Sequence, residues 1–212
     1  MTRPLVIAVL GTGTEVGKTW ATVRLAAIMR VRGRRVVARK PTQSFEAGSA
    51  EPTDRDLLAD ATGEAVDLVC PPHRCYPVAM APPMAADSLG REAIAVADLL
   101  AETSWPSAAD LVLVETAGGA ASPIAHDATS ADLAIRLAPD RALLVADAGL
   151  GTIHAVTTTL PVLAGLTVSV LLNRFDPSAE LHRRNHAWLE QQGVSTMVAL
   201  DTVADELDQL IS

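Results

Sequence analysis

Leu5-Val-Ile-Ala-Val-Leu10, followed at once by Gly11-Thr-Gly-Thr-Glu-Val-Gly-Lys-Thr19, is the stretch that decides the fold. Six apolar residues without alternation read as a strand buried on both faces. The apolar spacing from Lys18 to about Arg32 reads as a helix, which Gly33 stops. A strand, a glycine-rich loop ending in Gly-Lys-Thr and a helix together make a phosphate-binding P-loop. Backbone N–H groups of such a loop converge on an anion at the helix start, and glycine permits that geometry. Lys18 supplies a point charge for the β- and γ-phosphates, and Thr19 offers a hydroxyl to Mg2+. The strict spacing puts a glycine at position 12, where this chain has Thr12. The loop implies binding of a nucleoside triphosphate.

Working outward, Arg35 to Lys40 reads as a second strand, and residues 42–53, rich in Ser, Gly, Ala, Glu and Pro, as an exposed, mobile loop. A short helix is predicted over Asp54 to Ala61. The proline-rich stretch 71–83 interrupts regular structure before a helix from Ile94 to Glu102. Asp110 to Glu115, Arg141 to Asp147 and Leu166 to Asn173 read as further buried strands, with helices over Thr152 to Leu163 and Ser178 to Gln192. Strands alternating with helices predict an α/β fold: a P-loop NTPase-type parallel sheet covered by helices on both faces, in a single domain over residues 1–212. Ligands of such sheets sit beyond the carboxyl ends of the strands. Gly11, Lys40, Glu115, Asp147 and Asn173 all fall there, so they are expected to share one rim.

Composition agrees and excludes other classes. The chain has 212 residues, 49% hydrophobic and 20% charged, which suits a globular domain rather than a disordered one. With two Phe, one Tyr and three Trp, the core must be mainly aliphatic. A net charge of −8 argues against a nucleic-acid surface. The local exception, Arg30, Arg32, Arg34, Arg35 and Arg39, reads as a solvated helix end, with a polyanion patch as the alternative. Cys70 and Cys75 flank His73 but lack a fourth ligand for a metal, and read as structural or incidental thiols. Leu5 to Leu10 is too short to span a membrane, so the expectation is a cytoplasmic protein with no membrane partner.

Beyond the P-loop, Lys40-Pro41 offers a cation at the rim to neutralise a transferring phosphoryl group. Glu115, before Thr-Ala-Gly-Gly119, can hold Mg2+ as a Walker-B acid does. Asp54 and Asp56 lie at a helix start, where an Asp often serves only as a cap, but one of them can complete a Mg2+ site with Thr19 and Glu115. His182 and His186, one turn apart, read as a solvated face because no third ligand accompanies them.

Taken together these residues resemble the dethiobiotin synthetases, ATP-dependent carboxylases of biotin synthesis. The resemblance rests on Gly11-Thr-Gly-Thr-Glu-Val-Gly-Lys-Thr19, whose glycine spacing is that family's own. It continues through Lys40-Pro-Thr-Gln-Ser44, Asp54, Tyr76-Pro with Ala81-Pro-Pro-Met-Ala-Ala86, Glu115-Thr-Ala-Gly-Gly119, Leu150-Gly-Thr-Ile153 and Asn173. It implies that 7,8-diaminopelargonic acid takes up CO2 as a carbamate, that ATP phosphorylates the carbamate, and that the second amine closes the ureido ring. By the same resemblance Lys18, Lys40 and Ser44 serve catalysis. Gly13, Thr14, Glu15, Val16, Gly17, Lys18, Thr19, Glu115 and Gly118 line the nucleotide site, and Asn173 reads the adenine edge. Thr19, Asp54 and Glu115 hold Mg2+. The resemblance further implies a homodimer whose substrate site is completed by the partner subunit.

The chain departs from that family's pattern at Thr116 (usually Gly), at His154 (usually Asn), at Leu10 (often Thr) and in the C-terminal segment, where Thr196-Met-Val-Ala-Leu200 replaces a Gly-x-Ile-Pro run. Thr116 and His154 bear on carbamate geometry or carboxylate recognition, and so admit a related ligase acting on another small substrate. A partitioning-type switch ATPase is the alternative from another class. It usually carries an extra lysine between positions 12 and 15 and a basic or amphipathic membrane or DNA element, and neither is evident. A cobyrinate-type amide synthetase normally brings a glutaminase domain, for which the chain is too short.

Overall fold

Along β1 (Leu5–Gly11) successive side chains turn to opposite faces, as the twofold period of a strand requires. Ile7 and Val9 join one buried cluster, and Ala8 and Leu10 join another. The computed structural model describes residues 3–211. From β1 the chain passes through the P-loop into α1 (Lys18–Val31), then β2 (Val36–Arg39) and a short β3 (Gln43–Ser44). Next come α2 (Asp54–Thr62), α3 (Val66–Val69), β4 (Cys75–Tyr76), α4 (Pro82–Ser88) and α5 (Val96–Glu102). After β5 (Leu111–Glu115), the hairpin of β6 (Pro123–Ala125) and β7 (Ala128–Thr129) feeds α6 (Ser130–Leu137). β8 (Arg141–Asp147), α7 (Thr152–Thr159), β9 (Val168–Asn173), α8 (Glu180–Gln191), β10 (Thr196–Met197) and α9 (Leu200–Ile211) complete the order.

Six strands form one parallel sheet in the order β10-β9-β8-β1-β5-β2. On one face, α1 and α9 bury Leu25, Met29, Val203 and Leu207 against Ile7, Val9, Leu113 and Val145. On the other, α6, α7 and α8 bury Ala134, Val156 and Leu189 against Ala8, Leu10, Leu144 and Val170. The buried residues of α1 recur at 18, 21, 22, 25, 26 and 29, a stripe of helical period, and 21, 25, 26 and 29 make that contact. Leu25 is fully buried, and replacing it by Ala would cost about 2–5 kcal/mol through lost burial and the cavity left behind. Gly33, at φ 83°, ends α1 with its N–H on Arg30 O, while Arg34 N–H reaches back to Met29 O.

The register brings the rim together. Arg39 pairs with Val114, so Lys40 and Glu115 follow side by side. Val9 pairs with Glu115, Gly11 with Val145 and Asp147 with Asn173.

Several expectations need correction. Thr42 and Gln43 are buried, because β3 pairs in parallel with β4 and the exposed stretch of that loop begins only at Glu46. Within 71–83, Pro82 opens α4, since a proline is tolerated where a helix leaves its first N–H groups unbonded. The helix from Thr152 tightens into a 3-10 turn at Leu160–Leu163, where Pro161 cannot donate to the ladder. The helix α6, the hairpin before it and α9 had no counterpart in the sequence reading. Yet α6 opens on a capping box, Thr129 with Asp132, and α9 buries 200, 203, 204 and 207. No helix among the described residues is long and apolar enough to cross a membrane.

Candidate active site at the carboxyl rim of the sheet

Between β1 and α1 the backbone must reverse tightly. A Cβ at Gly11 would stand 2.8 Å from Gly13 O, and Gly17 takes φ 90° at the N-cap of α1. Position 12 needs no glycine: its φ is not positive, and Thr12 N–H donates to Val145 O on β8. Glu15 is the strained residue of the loop, at φ 57°. The segment after β5 lies against this loop. Ala120 N–H donates to Gly11 O, and a Cβ on Gly119 would meet Gly13 Cα at 3.2 Å.

At the foot of α1 two cations and two carboxylates meet. Lys40 Nζ lies 2.7 Å from Asp54 Oδ2 and 2.7 Å from Glu115 Oε1, with Glu115 fully buried. Thr19 Oγ1 sits 2.8 Å from both Asp54 Oδ1 and Glu115 Oε1. Lys18 Nζ is folded back onto Gly13 O at 3.2 Å. Burial pushes the Lys18 ammonium down to about 8, and neighbouring Lys40 adds to that, against partial relief from Glu115 and Asp54. Burial also works against the Lys40 charge, but Glu115 and Asp54 outweigh it and hold the ammonium above its ordinary value. Asp54 is held below its usual range: burial opposes its charge, and Lys40, then Thr19, prevail.

One hydroxyl proton cannot serve two carboxylates, so Thr19 presents an oxygen flanked by two acidic oxygens. That donor set, oxygen throughout, is chemically suited to Mg2+. Asp54 and Asp56 turn different ways: Asp54 faces Thr19 and Lys40. Asp56 Oδ2 accepts from Thr53 N–H and from the Thr53 hydroxyl, at 2.9 and 2.7 Å, and so caps α2.

A cavity of about 880 Å3 opens over these groups, lined by Thr14, Glu15, Gly17, Lys18, Thr19, Lys40, Ser44, Asp54 and Gly118. Its far wall is Ala79 to Pro82 with Ser122 and Pro123. The Ser44 hydroxyl donates to Met80 O. Asn173, buried, turns its Nδ2 to Val16 O at 2.9 Å and lines a second pocket of about 230 Å3 with Phe175 and Val198–Asp201. The C-terminal segment that departs from the family pattern therefore borders Asn173. Thr116 is buried with its hydroxyl on Val9 O, and neither it nor His154 lines the 880 Å3 cavity. The Thr116 side chain turns into the sheet, while its carbonyl oxygen accepts from Lys40 Nζ at 3.4 Å.

Two participants escaped the sequence reading. Thr22, fully buried, donates to Glu115 Oε2 at 2.6 Å; it stands one turn after Thr19, a spacing that could have flagged it. Gln43 accepts from Arg55 N–H and donates to Thr53, thereby fixing the start of α2 that carries Asp54. Gln43 stands inside the Lys40-Pro-Thr-Gln-Ser44 run, but that run gives no hint of this role, because its partners lie on another element.

The other candidate groups do not assemble. His73 turns to Glu102, away from Cys70 and Cys75, whose sulfurs lie 3.5 Å apart. The hydrogen bond between the two sulfurs draws the Cys75 thiol below its ordinary value. His182 accepts from Asp176 N–H, and His186 pairs with Glu190. The arginines are tied down: Arg32 and Arg34 to Asp205 and Asp208 on α9, Arg35 to Asp110, Arg39 to Glu64, and Arg30 to Ala61 O. They form no open anion patch.

A family model described as an AAA domain matches residues 6–200. The ATP-dependent dethiobiotin synthetase BioD of Parafrankia sp. (strain EAN1pec) is 44% identical over 75% of this chain and 66% of its own length, just under two thirds. The protein of the same name from Anaeromyxobacter dehalogenans (strain 2CP-C) is 34% identical over 84% of each chain. Among solved structures, the signal recognition particle receptor FtsY from Elizabethkingia anophelis is similar at 19% identity and a TM-score of 0.46, over 81% of this chain and 51% of its own.

Proposed function

Because the chain belongs to the ATP-dependent dethiobiotin synthetase family, we propose that it closes the ureido ring of dethiobiotin from 7,8-diaminopelargonic acid, CO2 and ATP. The observation that carries this reading is the convergence of Lys18, Lys40, Thr19, Asp54 and Glu115 beneath one 880 Å3 cavity at the P-loop. That volume suits a triphosphate and a small diamine together.

In this reading the P-loop amides and Lys18 hold the β- and γ-phosphates. Lys40 neutralises charge on the phosphoryl group in transit to the carbamate oxygen, and Ser44 contacts the diamine or its carbamate. The second amine then attacks the carbamic–phosphoric anhydride, and phosphate leaves. Phosphoryl transfer asks a protein chiefly for positioning and charge neutralisation, and the P-loop with Lys18 and Lys40 at this rim offers both. Thr19, Asp54 and Glu115 would hold Mg2+, directly or through water. When bound, Mg2+ would neutralise phosphate charge. Asn173 reads the edge of the adenine; its Nδ2 is engaged by Val16 O, which leaves Oδ1 to accept from the base.

The proposal includes a cytoplasmic homodimer. Leu150, 93% exposed, and exposed His154 stand at the start of α7 and do not line the cavity of their own protomer. A second copy of the chain would cover them and carry His154 to the partner's substrate.

The test is phosphate release by purified protein with Mg-ATP and bicarbonate, with and without the diamine. Release that depends on the diamine, with ring-closed product by mass, supports the reading. ATP binding with no diamine dependence would sink the substrate assignment and leave the nucleotide site standing.

A further inference from the structure

Two concavities meet at the rim, and Trp20 and Arg174 line both of them. One is the cavity over the P-loop. The other, of about 230 Å3, runs between the outer flank of α1 and the segment Val198–Asp201. Trp20 follows Thr19 directly on the first turn of α1 and is 55% exposed. A large indole so placed contributes little to the core, and its apolar surface is open to a ligand.

Arg174 stands at the same junction, with a φ of 57° that a non-glycine residue holds only under restraint. The restraint is visible. Its Nη1 donates to Asp147 Oδ2 at 2.7 Å and its Nη2 to Glu15 O at 2.9 Å. Both bonds lie in the guanidinium plane, so they fix the group and leave its faces available for stacking. Glu15, itself at φ 57°, belongs to the P-loop, so the same bond ties Arg174 to the phosphate site.

We propose that the Trp20 indole and the Arg174 guanidinium form a clamp on the nucleoside half of the nucleotide. The inference rests on the P-loop reading above. A nucleotide with its phosphates on the loop reaches the smaller pocket past these two side chains, which line both cavities. Indole and guanidinium both stack on a base or pack on a sugar, and such stacking is tolerant of base identity. With Arg174 anchored before the ligand arrives, little freedom is lost on binding.

The experiment compares ATP with tripolyphosphate, which carries the phosphates without a nucleoside, in the full chain. Trp20→Leu is expected to raise the KM for ATP about ten- to a hundredfold. Its kcat should stay within about threefold, since the clamp contacts the nucleoside and not the transferring group. The inhibition constant of tripolyphosphate should not move, and Trp20→Phe should recover most of the loss. Arg174→Lys, which keeps charge but loses the planar face, should behave like Trp20→Leu toward ATP. Equal weakening of ATP and tripolyphosphate in Trp20→Leu, or no change in either, would overturn the clamp. Failure of tripolyphosphate to compete with ATP in the unaltered protein would instead overturn the P-loop reading, and the clamp with it.

Discussion

Lys40 is fully buried with one carboxylate oxygen of Glu115 and one of Asp54 at 2.7 Å, so its charge and theirs depend on one another. Replacing it by Met strands the buried Glu115 carboxylate, and breaking such a pair costs about 3–5 kcal/mol. A urea titration of Lys40→Met should therefore show a midpoint well below that of the unaltered protein. Adding Glu115→Gln should restore much of that stability without restoring turnover, which distinguishes the structural from the chemical role. The two acids of α2 make a second contrast. Asp54→Asn removes a group at Thr19 and Lys40, and phosphate release should fall by at least about a hundredfold. Asp56→Ala removes only the cap on Thr53 and should lower stability by about 1 kcal/mol with turnover retained. Equal kinetic effects of the two would refute the assignment of Asp54.

At the scale of elements, the strand–loop–helix unit depends on two glycines that look alike in sequence and differ in surroundings. Gly17 and Gly33 bracket α1, both with positive φ. A Cβ on Gly17 would stand 2.1 Å from Asn173 Nδ2, whereas nothing lies within 4 Å of one on Gly33. Gly33→Ala is therefore expected to cost about 1 kcal/mol of backbone strain with nucleotide affinity unchanged. Gly17→Ala must also displace Asn173 from Val16 O and disturb the loop. Calorimetric titration should show ATP binding weakened at least about tenfold, beyond what the strain alone explains. Retained affinity in Gly17→Ala would mean that Asn173 does not set the loop.

At the scale of the whole molecule, carboxylates on separate elements are held below their ordinary range. Arg74 does this for Glu102 and Arg35 for Asp110; for Asp147, burial opposes the charge, but Arg174 and the Gly149 N–H outweigh it. A depressed folded pKa means that the unfolded chain takes up protons first as pH falls. The stability involved is present above the unfolded values of 4.5 for Glu and 3.8 for Asp, and is lost as pH falls through the lower folded values. Melting temperature should thus stay level from pH 7 to 5 and drop below about pH 4, with a shallower drop in Glu102→Gln. A drop of the same steepness in that variant would remove Glu102 from the account.

What the residues determined alone is local in origin. An unbroken apolar run, a glycine-rich turn and a helical stripe specify β1, the P-loop and α1, because each needs only neighbours in the chain. The alternation of such units implies the parallel sheet and its carboxyl rim, and with it the meeting of Gly11, Lys40, Glu115 and Asn173. Tertiary structure decided the rest. It set Asp54 beside Thr19 and Lys40 and Asp56 on Thr53, brought Thr22 onto Glu115, and put the Thr116 hydroxyl on Val9 O. It paired the arginines with Asp205 and Asp208 on α9, with Asp110 just before β5 and with Glu64. It also paired β3 with β4 inside what reads as an open loop. These outcomes depend on register and on groups tens of residues apart, such as Thr22 and Glu115 or Arg174 and Glu15. Nothing in the spacing of a single segment encodes which partner across the fold a polar side chain will meet.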